Sequence, residues 1–269
     1  MKIVLIAFVF CLSFIGCSQH PQPKEKKIIN DFSCIEEEAT GFGFGLASDL
    51  ENQLLGQLGK PITLKEEITD GDSLLSNVKK EHKIITTGAE IQVLYKVLWK
   101  LKNGIKSPKG FDYKIYYLQS DELNSFTCGG KIFFTSGMYK FCKNEDEIAC
   151  IIGHEIGHNE LGHIRDNLSR IKTMEEFGDI GLISLTLGKM LITPFNQKNE
   201  VASDFYGLDL AFAAGYDACQ NIKLWKRMQE SEGTQTMIDS FMSTHPCSGA
   251  RANCSSNHLE KNYNISCSN

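Results

Sequence analysis

Five consecutive residues near the middle of the chain, His154-Glu155-Ile156-Gly157-His158, constrain its local fold more than any other segment. On an α-helix, residues four apart lie one turn apart on the same face, so the two imidazoles approach a common point. Imidazole nitrogens are common zinc ligands, and a glutamate between them can act as a general base. The pattern therefore predicts a helix on which His154 and His158 bind zinc and Glu155 is the catalytic base.

The residues before the motif favour a helix as well. Asn144 is followed by Glu145, Asp146 and Glu147, which is typical of an N-cap and an acidic first turn. We expect this helix to run past His163. The metzincin spacing would require a histidine one residue later than this one, so we predict that His163 is a packed or solvent-facing helix residue and not a ligand.

A third zinc ligand must come from another segment if one coordination position is to stay open for water. The best candidate is Glu200, on a predicted second helix, and Asp204 follows one turn later. A carboxylate in that position can accept a hydrogen bond from a ligating histidine and fix its tautomer. The alternative is that both residues belong to an exposed acidic helix face.

Length and charge limit the remaining possibilities. The 269 residues suffice for one sizeable core, and the ordinary apolar and charged fractions exclude a fibrous or disordered chain. A net charge of -5 without any long Lys/Arg run argues against a nucleic-acid partner. We expect one catalytic domain over residues 31–269.

The N-terminus is predicted to be a targeting segment. Lys2 precedes an apolar run, and residues 1–16 together are typical of a signal peptide that is too short to span a bilayer. Phe14-Ile15-Gly16-Cys17 resembles a bacterial lipobox, which implies a diacylglyceryl group on Cys17. Residues 17–30 are polar, so we predict a lipid-anchored tether; plain secretion is the alternative.

Eight cysteines remain after Cys11 in the signal peptide and Cys17 are set aside, and they contain no CxxC pair. An even, scattered set in an exported chain favours disulfide bonds over a second zinc site. We predict at least one disulfide, with the connectivity left open.

The hydrophobic pattern predicts a mainly helical α+β fold. Strands are expected at Tyr113–Leu118 and Lys131–Thr135. Helices are expected at 87–104, at 200–214 and at 217–230. The first of them starts with a capping box at Thr87–Glu90. The apolar stretch 177–195 contains charges and glycines, so we expect a core or site-covering helix there rather than a membrane span.

Four blocks in this order resemble the gluzincin peptidase family that includes HtpX, BepA and the CAAX prenyl proteases. They are Asn124-Ser125-Phe126 with Gly129, Gly130 and Gly137; residues 154–163; residues 199–207; and Thr244-His245-Pro246 with Arg251. The resemblance implies a zincin-like fold with one zinc ion per chain and a small β-sheet beside the HExxH helix. Cys128 and Ser203 depart from the family pattern, and we expect neither to touch the site.

The resemblance also implies a function. A short, lipobox-bearing member of this family resembles the outer-membrane peptidase lipoproteins of Gram-negative bacteria. It implies an endopeptidase on the outer membrane, facing the periplasm, that hydrolyses unfolded or damaged envelope proteins. An extended substrate could pair with the strand Lys131–Thr135 by β-augmentation if that strand lies at a sheet edge; the alternative is an ordinary covered core strand. The alternatives are a non-proteolytic chaperone or assembly factor and a hydrolase of small amides.

His245 has three possible roles at this point. It could donate a hydrogen bond to the oxyanion of the reaction, ligate zinc in a resting state in place of water, or be a loop histidine held by Pro246 for packing. The sequence does not choose among them, and it leaves the substrate, cleavage preference and oligomeric state open.

Overall fold

The computed structural model describes residues 27–36, 60–177, 195–231, 245 and 249–267. The predicted signal peptide, the lipobox with Cys17, most of the tether and residues 178–194 of the predicted apolar helix lie outside these ranges. None of the helices described is both long and apolar enough to cross a bilayer.

Helices dominate the described ranges. They are α1 Ser33–Glu36, α2 Leu64–Glu81, α3 Ala89–Lys102, α4 Ser136–Phe141, α5 Glu145–Leu161, α6 His163–Phe177, α7 Gln197–Ala213, α8 Cys219–Ser231 and α9 Gly249–Tyr263. The strands are β1 Ile84–Ile85, β2 Lys114–Leu118, β3 Ser125–Cys128 and β4 Lys131–Thr135. The prediction of a mainly helical α+β fold with a small sheet is therefore confirmed.

The four strands form one mixed sheet in the order β1-β2-β4-β3. β2 and β4 run parallel, whereas β1 pairs antiparallel with β2 and β3 pairs antiparallel with β4. Of the two alternatives for Lys131–Thr135, the covered core strand is the one observed, because β4 has a neighbour on each side. The strand at the edge beside β4 is β3, which lies against α5.

Helix α5 begins where the sequence predicts and ends earlier. The Asn144 side chain accepts a hydrogen bond from the Glu147 backbone N–H, as expected of an N-cap. The helix stops at Leu161, and Gly162 adopts a left-handed conformation with φ 87°. A residue without a Cβ takes this conformation readily, so the chain turns and His163 starts a new helix. The prediction that one helix runs past His163 was wrong.

Helices α5 and α7 pack unusually close, because glycines lie at their crossing. A Cβ on Gly157 would come within 2.9 Å of the Ser203 carbonyl oxygen, and a Cβ on Gly153 would come within 2.9 Å of the Gly207 Cα. No side chain therefore separates the two backbones there. This contact brings the face of α7 that carries Glu200 against the face of α5 that carries the histidine pair.

Two disulfide bonds are present, which confirms the prediction from the cysteine pattern. Cys34 in α1 is bonded to Cys254 in α9, and Cys219 in α8 is bonded to Cys267 near the C-terminus. The first bond therefore joins α1 to α9, and the second joins α8 to the segment after α9. Among the other described cysteines, Cys128, Cys142 and Cys150 have free thiols.

Candidate metal centre

Four side chains with metal-binding atoms meet in the interior between α5 and α7. His154 and His158 come from α5, Glu200 comes from the first turn of α7, and His245 reaches the same point from a separate segment. One ligand atom from each lies within 4.8 Å of all the others, and all four residues are buried. The predicted ligands His154, His158 and Glu200 therefore lie together, and His245 lies with them.

The distances suit a tetrahedral zinc site. Nε2 of His154 lies 2.9 Å from Nε2 of His158 and 3.5 Å from a Glu200 oxygen, while His158 Nε2 lies 3.2 Å from the other. Zinc bonds of about 2.0–2.1 Å in a tetrahedron separate ligand atoms by roughly 3.3 Å. A cation among these atoms would offset the repulsion of their lone pairs, so this donor set fits zinc.

Asp204 determines which nitrogen of His154 is free to bind metal. Its Oδ1 lies 2.9 Å from His154 Nδ1, which makes Nδ1–H the donor and leaves the Nε2 lone pair facing the cluster. Asp204 lies one turn after Glu200 on α7, so the same helix supplies both carboxylates. This is the position that the sequence predicted for Asp204.

Arg251, on α9, holds both carboxylates in place. Its Nε and one terminal nitrogen donate to the two Asp204 oxygens at 2.7 Å, and its other terminal nitrogen donates to Glu200 at 2.7 Å. The guanidinium is fully buried and stacks 3.6 Å from the centre of the Trp225 ring. The sequence comparison noted Arg251 only as a matching position; its role in the site was missed.

The surrounding charges keep Glu200 ionised in the interior. Burial alone would raise the pKa of this carboxyl, but His245, Arg251 and His158 together hold the pKa well below its ordinary value. Glu200 can therefore present a charged oxygen to a cation. An ionised carboxylate is the form that binds zinc.

A neutral pair supports His158 on the other side. His163 Nδ1 lies 3.3 Å from His158 Nδ1 and 3.1 Å from the Ser203 hydroxyl oxygen. Burial lowers the pKa of His163 to about 4, so its imidazole is neutral at physiological pH. His163 is not one of the four clustered residues. The Ser203 hydroxyl contacts His163, so it lies next to the cluster without belonging to it.

Glu155 is the least satisfied polar group of the site. The side chain is fully buried, and neither carboxylate oxygen has a hydrogen bond of good geometry within the described ranges. Burial raises the pKa of this carboxyl, although the Ser125 hydroxyl lies near enough to lower it in part. A buried carboxylate without a well-formed hydrogen bond is costly, and a water molecule beside a metal would supply one.

His245 faces both the ligands and Glu155. Its Nδ1 lies 3.2 Å from His154 Nε2 and 3.3 Å from each Glu200 oxygen, and its Nε2 lies 3.8 Å from Glu155. Burial would lower the pKa of His245, but the Glu200 carboxylate raises it above the ordinary value. Pro246, the predicted packing partner, lies outside the described residues.

Comparison with known families gives one match over most of the chain. The profile of Peptidase family M48 matches residues 89–257, a range that contains every residue of the cluster. Each of the four converging side chains comes from a segment within the match.

Individual relatives are more distant. The chain is 29% identical to the mitochondrial metalloendopeptidase OMA1 of Schizosaccharomyces pombe, over 52% of this chain and 44% of that protein. It is 30% identical to the OMA1 of Saccharomyces cerevisiae, over 49% of this chain and 42% of that protein. It is 21% identical to the beta-barrel assembly-enhancing protease of Yersinia pestis, over 76% of this chain and 46% of that protein. The chain thus spans less than half the length of these relatives.

Proposed function

The chain belongs to peptidase family M48, and from that membership we propose that it is an endopeptidase that holds one zinc ion. The observation that carries the proposal is the cluster of His154, His158 and Glu200 beside a buried carboxylate, Glu155, whose oxygens have no well-formed hydrogen bond among the described residues. A structural zinc site needs no such base, whereas hydrolysis does.

The residues divide the chemistry among themselves. A zinc ion held by His154, His158 and Glu200 would polarise the scissile carbonyl and lower the pKa of a water molecule. Glu155 takes a proton from the attacking water at one carboxylate oxygen and gives it to the amine nitrogen as the peptide bond breaks. Asp204 keeps the proton of His154 on Nδ1 throughout. The buried walls exclude bulk water, which strengthens each of these interactions.

The edge strand β3 is our proposed binding strand for the substrate backbone, although α2 packs against its Cys128 end. The Thr135 backbone N–H donates to the Asn124 carbonyl, so the alternation of an antiparallel pair turns the backbone groups of Ser125 and Thr127 away from β4. Ser125 and Thr127 are buried on the side of the sheet that faces α5. An extended peptide paired there would lie beside the base and would need little sequence specificity.

For His245, we propose the role of a fourth ligand in a resting state. Its Nδ1 approaches the ligand atoms at about the separation that a tetrahedral site requires, and its Nε2 points towards Glu155. In this position it occupies the place that water needs. An oxyanion donor would instead leave that place open.

The effect of His245→Ala separates these roles. A resting-state ligand predicts higher turnover in the variant, whereas loss of an oxyanion donor lowers turnover by roughly 100- to 1000-fold with zinc retained. Zinc affinity should fall in the first case, because one ligand is missing. Unchanged turnover and affinity would leave only a packing role.

The proposed substrates are unfolded or damaged envelope proteins. The disulfides suit an oxidising compartment, and backbone pairing along β3 suits chains without fixed structure. We further propose that the lipid on Cys17 anchors the protein to the outer membrane, facing the periplasm. Mass spectrometry of the exported protein tests this: an unmodified mature N-terminus would contradict the anchor.

Proteolysis is tested with wild type and Glu155→Gln on one unfolded protein substrate, with and without zinc. We expect the variant to keep zinc and to lose turnover by roughly 100- to 10,000-fold, as loss of a general base predicts. Suppression of aggregation is measured in parallel. If both proteins prevent aggregation equally and neither cleaves the substrate, the non-proteolytic chaperone is the correct function.

A further inference from the structure

One stretch of this acidic protein is strongly basic. Residues 91–111 contain five lysines and no aspartate or glutamate, in a chain whose net charge is -5. The stretch covers most of α3 and the loop after it. Lys96 pairs with Glu145 while its side chain stays half-exposed, and Lys100 lies over the Tyr216 ring. The other three, Lys102, Lys106 and Lys109, are exposed.

Two aromatic residues are exposed on the same helix. The side chain of Trp99 is 61% exposed and that of Tyr95 is 44% exposed, and they lie one turn apart on the side of α3 that faces away from the core. Trp99 borders an open cavity of about 360 Å³ together with Lys102 and Tyr116. We call Tyr95, Trp99, Lys102, Lys106 and Lys109 the α3 face.

The N-terminal segment joins the domain beside this face. Ile28 lines a second cavity, of about 690 Å³, with Gly104, Lys106, Lys109 and two acidic residues, Glu160 and Asp209. The next residue is fixed to α9, because the Ile29 backbone N–H donates to the Asn262 side chain at 2.8 Å and its carbonyl accepts from it at 2.9 Å. Ile28, near the start of the described N-terminal segment, therefore lies next to the loop after α3.

We propose that the α3 face docks on the anionic surface of a lipid bilayer. Tryptophan and tyrosine favour the headgroup region because their rings are apolar and carry one polar group, and clustered lysines are attracted by anionic headgroups. The inference rests on the lipid anchor proposed for Cys17, which would hold this face close to the membrane. Weak sites of this kind bind stably only when a second anchor acts with them.

This proposal is independent of the proposed proteolysis. None of the α3 face residues belongs to the metal cluster, so docking and peptide hydrolysis can fail separately. A second copy of the chain could also cover such a surface, and shielding of Trp99 in the absence of lipid would reveal it.

The test uses quenching of tryptophan fluorescence by brominated phospholipids. The chain has two tryptophans, and Trp225 is 2% exposed, so Trp99 is the one that lipid can reach. The full chain is added to neutral phosphatidylcholine vesicles and to vesicles with one part in three phosphatidylglycerol, both containing brominated lipid. We expect strong quenching on the anionic vesicles alone, suppressed by salt, and its loss in Trp99→Phe.

The lysines are tested by charge removal. Replacing Lys102, Lys106 and Lys109 with glutamine should weaken docking by roughly 10- to 100-fold, since each surface lysine adds to the attraction. The control replaces Lys65, Lys143 and Lys223, which are also exposed but lie on other elements, and should keep the wild-type quenching. Equal loss in both triple variants would overturn the proposal.

Three further results would also overturn it. Equal quenching on neutral and anionic vesicles would show that the lysine charges do not contribute to the contact. Absence of quenching on both would mean that Trp99 does not meet lipid. Shielding of Trp99 from acrylamide that rises with protein concentration, without vesicles, would assign the face to a second copy of the chain.

Discussion

The two histidines of α5 are supported in opposite ways. His154 is backed by a charged group, Asp204, which is itself held by the buried Arg251. His158 is backed by a neutral one, His163, which is held by the Ser203 hydroxyl. Each arrangement holds its imidazole so that one ring nitrogen faces the cluster. Only the first arrangement adds a charged group to the interior.

The difference shows where the site depends on the rest of the fold. The charged side needs a cation from α9, because two ionised carboxylates cannot be buried without compensation. The neutral side needs only α6 and α7, which already pack beside α5. We therefore expect variants on the charged side to damage both folding and metal binding, and variants on the neutral side to have small effects.

The largest effect should follow removal of the cation. Arg251→Met leaves Glu200 and Asp204 buried without their partner, and we expect the free energy of unfolding of the metal-free protein to fall by roughly 3–5 kcal/mol. Denaturation in urea with a chelator measures it. Zinc should restore part of the loss, since it neutralises Glu200.

Arg227→Met is the matched control for this prediction. Arg227 pairs with the buried Glu147 through two hydrogen bonds of 3.0 and 2.5 Å, but its side chain is 25% exposed and lies away from the cluster. We expect a smaller loss, because water can solvate part of that pair. Equal losses in the two variants would contradict a special role for Arg251.

The next effect concerns the disulfide on the charged side. Cys254 lies one turn after Arg251 on α9, so its bond to Cys34 restrains the helix that carries the guanidinium. The Cys34→Ser/Cys254→Ser variant should lose roughly 2–5 kcal/mol of stability and also bind zinc more weakly.

The other disulfide provides the comparison. The Cys219→Ser/Cys267→Ser variant should lose a similar amount of stability, because it also opens a long loop, but should keep its zinc affinity. Zinc titration of both folded variants distinguishes them. If both lose zinc affinity equally, the first bond has no particular link to Arg251.

A smaller effect is expected from Asp204→Asn, which keeps the shape of the side chain and removes its charge. Zinc affinity should fall by roughly 10- to 100-fold, because the proton of His154 is no longer fixed on Nδ1. Asp209→Asn is the control on the same helix: Asp209 contacts His258 at 2.8 Å, outside the cluster. An equal loss of affinity in Asp209→Asn would show that the effect is not specific to the site.

The sequence predicted the parts of the site that depend on local periodicity. Helical spacing alone puts His154 and His158 on one face of a helix, with Glu155 beside them. The same spacing puts Glu200 and Asp204 one turn apart on a second helix, so both predictions rest on local periodicity. β4 was predicted over the same residues that the structure assigns to it, because glycines lie directly before it and shortly after it.

The missed parts depend on contacts between distant segments. Arg251 lies 47 residues from Asp204 in the chain, and a buried arginine is uncommon enough that no local pattern indicates it. The sequence left open whether β4 is an edge strand or a covered one, because strand order is set by long-range pairing. The break after Leu161 has a local signal, Gly162, but the helical pattern on both sides of it favours one continuous helix.

The boundaries of α3 illustrate a smaller error. A capping box was predicted at Thr87–Glu90, but Gly88 is the N-cap and makes no side-chain hydrogen bond. A capping box is present instead at Thr63 and Glu66, before α2, a helix that was not predicted. The four-residue pattern forms a capping box only where the backbone turns to match it. The sequence alone did not show which of the two segments has that turn.

The smallest effect should be that of Ser203→Ala on the neutral side. The hydroxyl contacts His163 at 3.1 Å, so its loss removes one buried hydrogen bond and should lower stability by roughly 0.5–1.5 kcal/mol. His163 stays packed against His158, so we expect zinc affinity to change by less than about threefold, well below the loss expected for Asp204→Asn. Ser255→Ala is the control, because the buried Ser255 hydroxyl has no hydrogen-bond partner among the residues described and its removal should not destabilise the protein. Calorimetry and zinc titration of the two variants measure both quantities. A loss of zinc affinity in Ser203→Ala as large as that in Asp204→Asn would mean that the two sides of the site are equally demanding, and the distinction between them would fail.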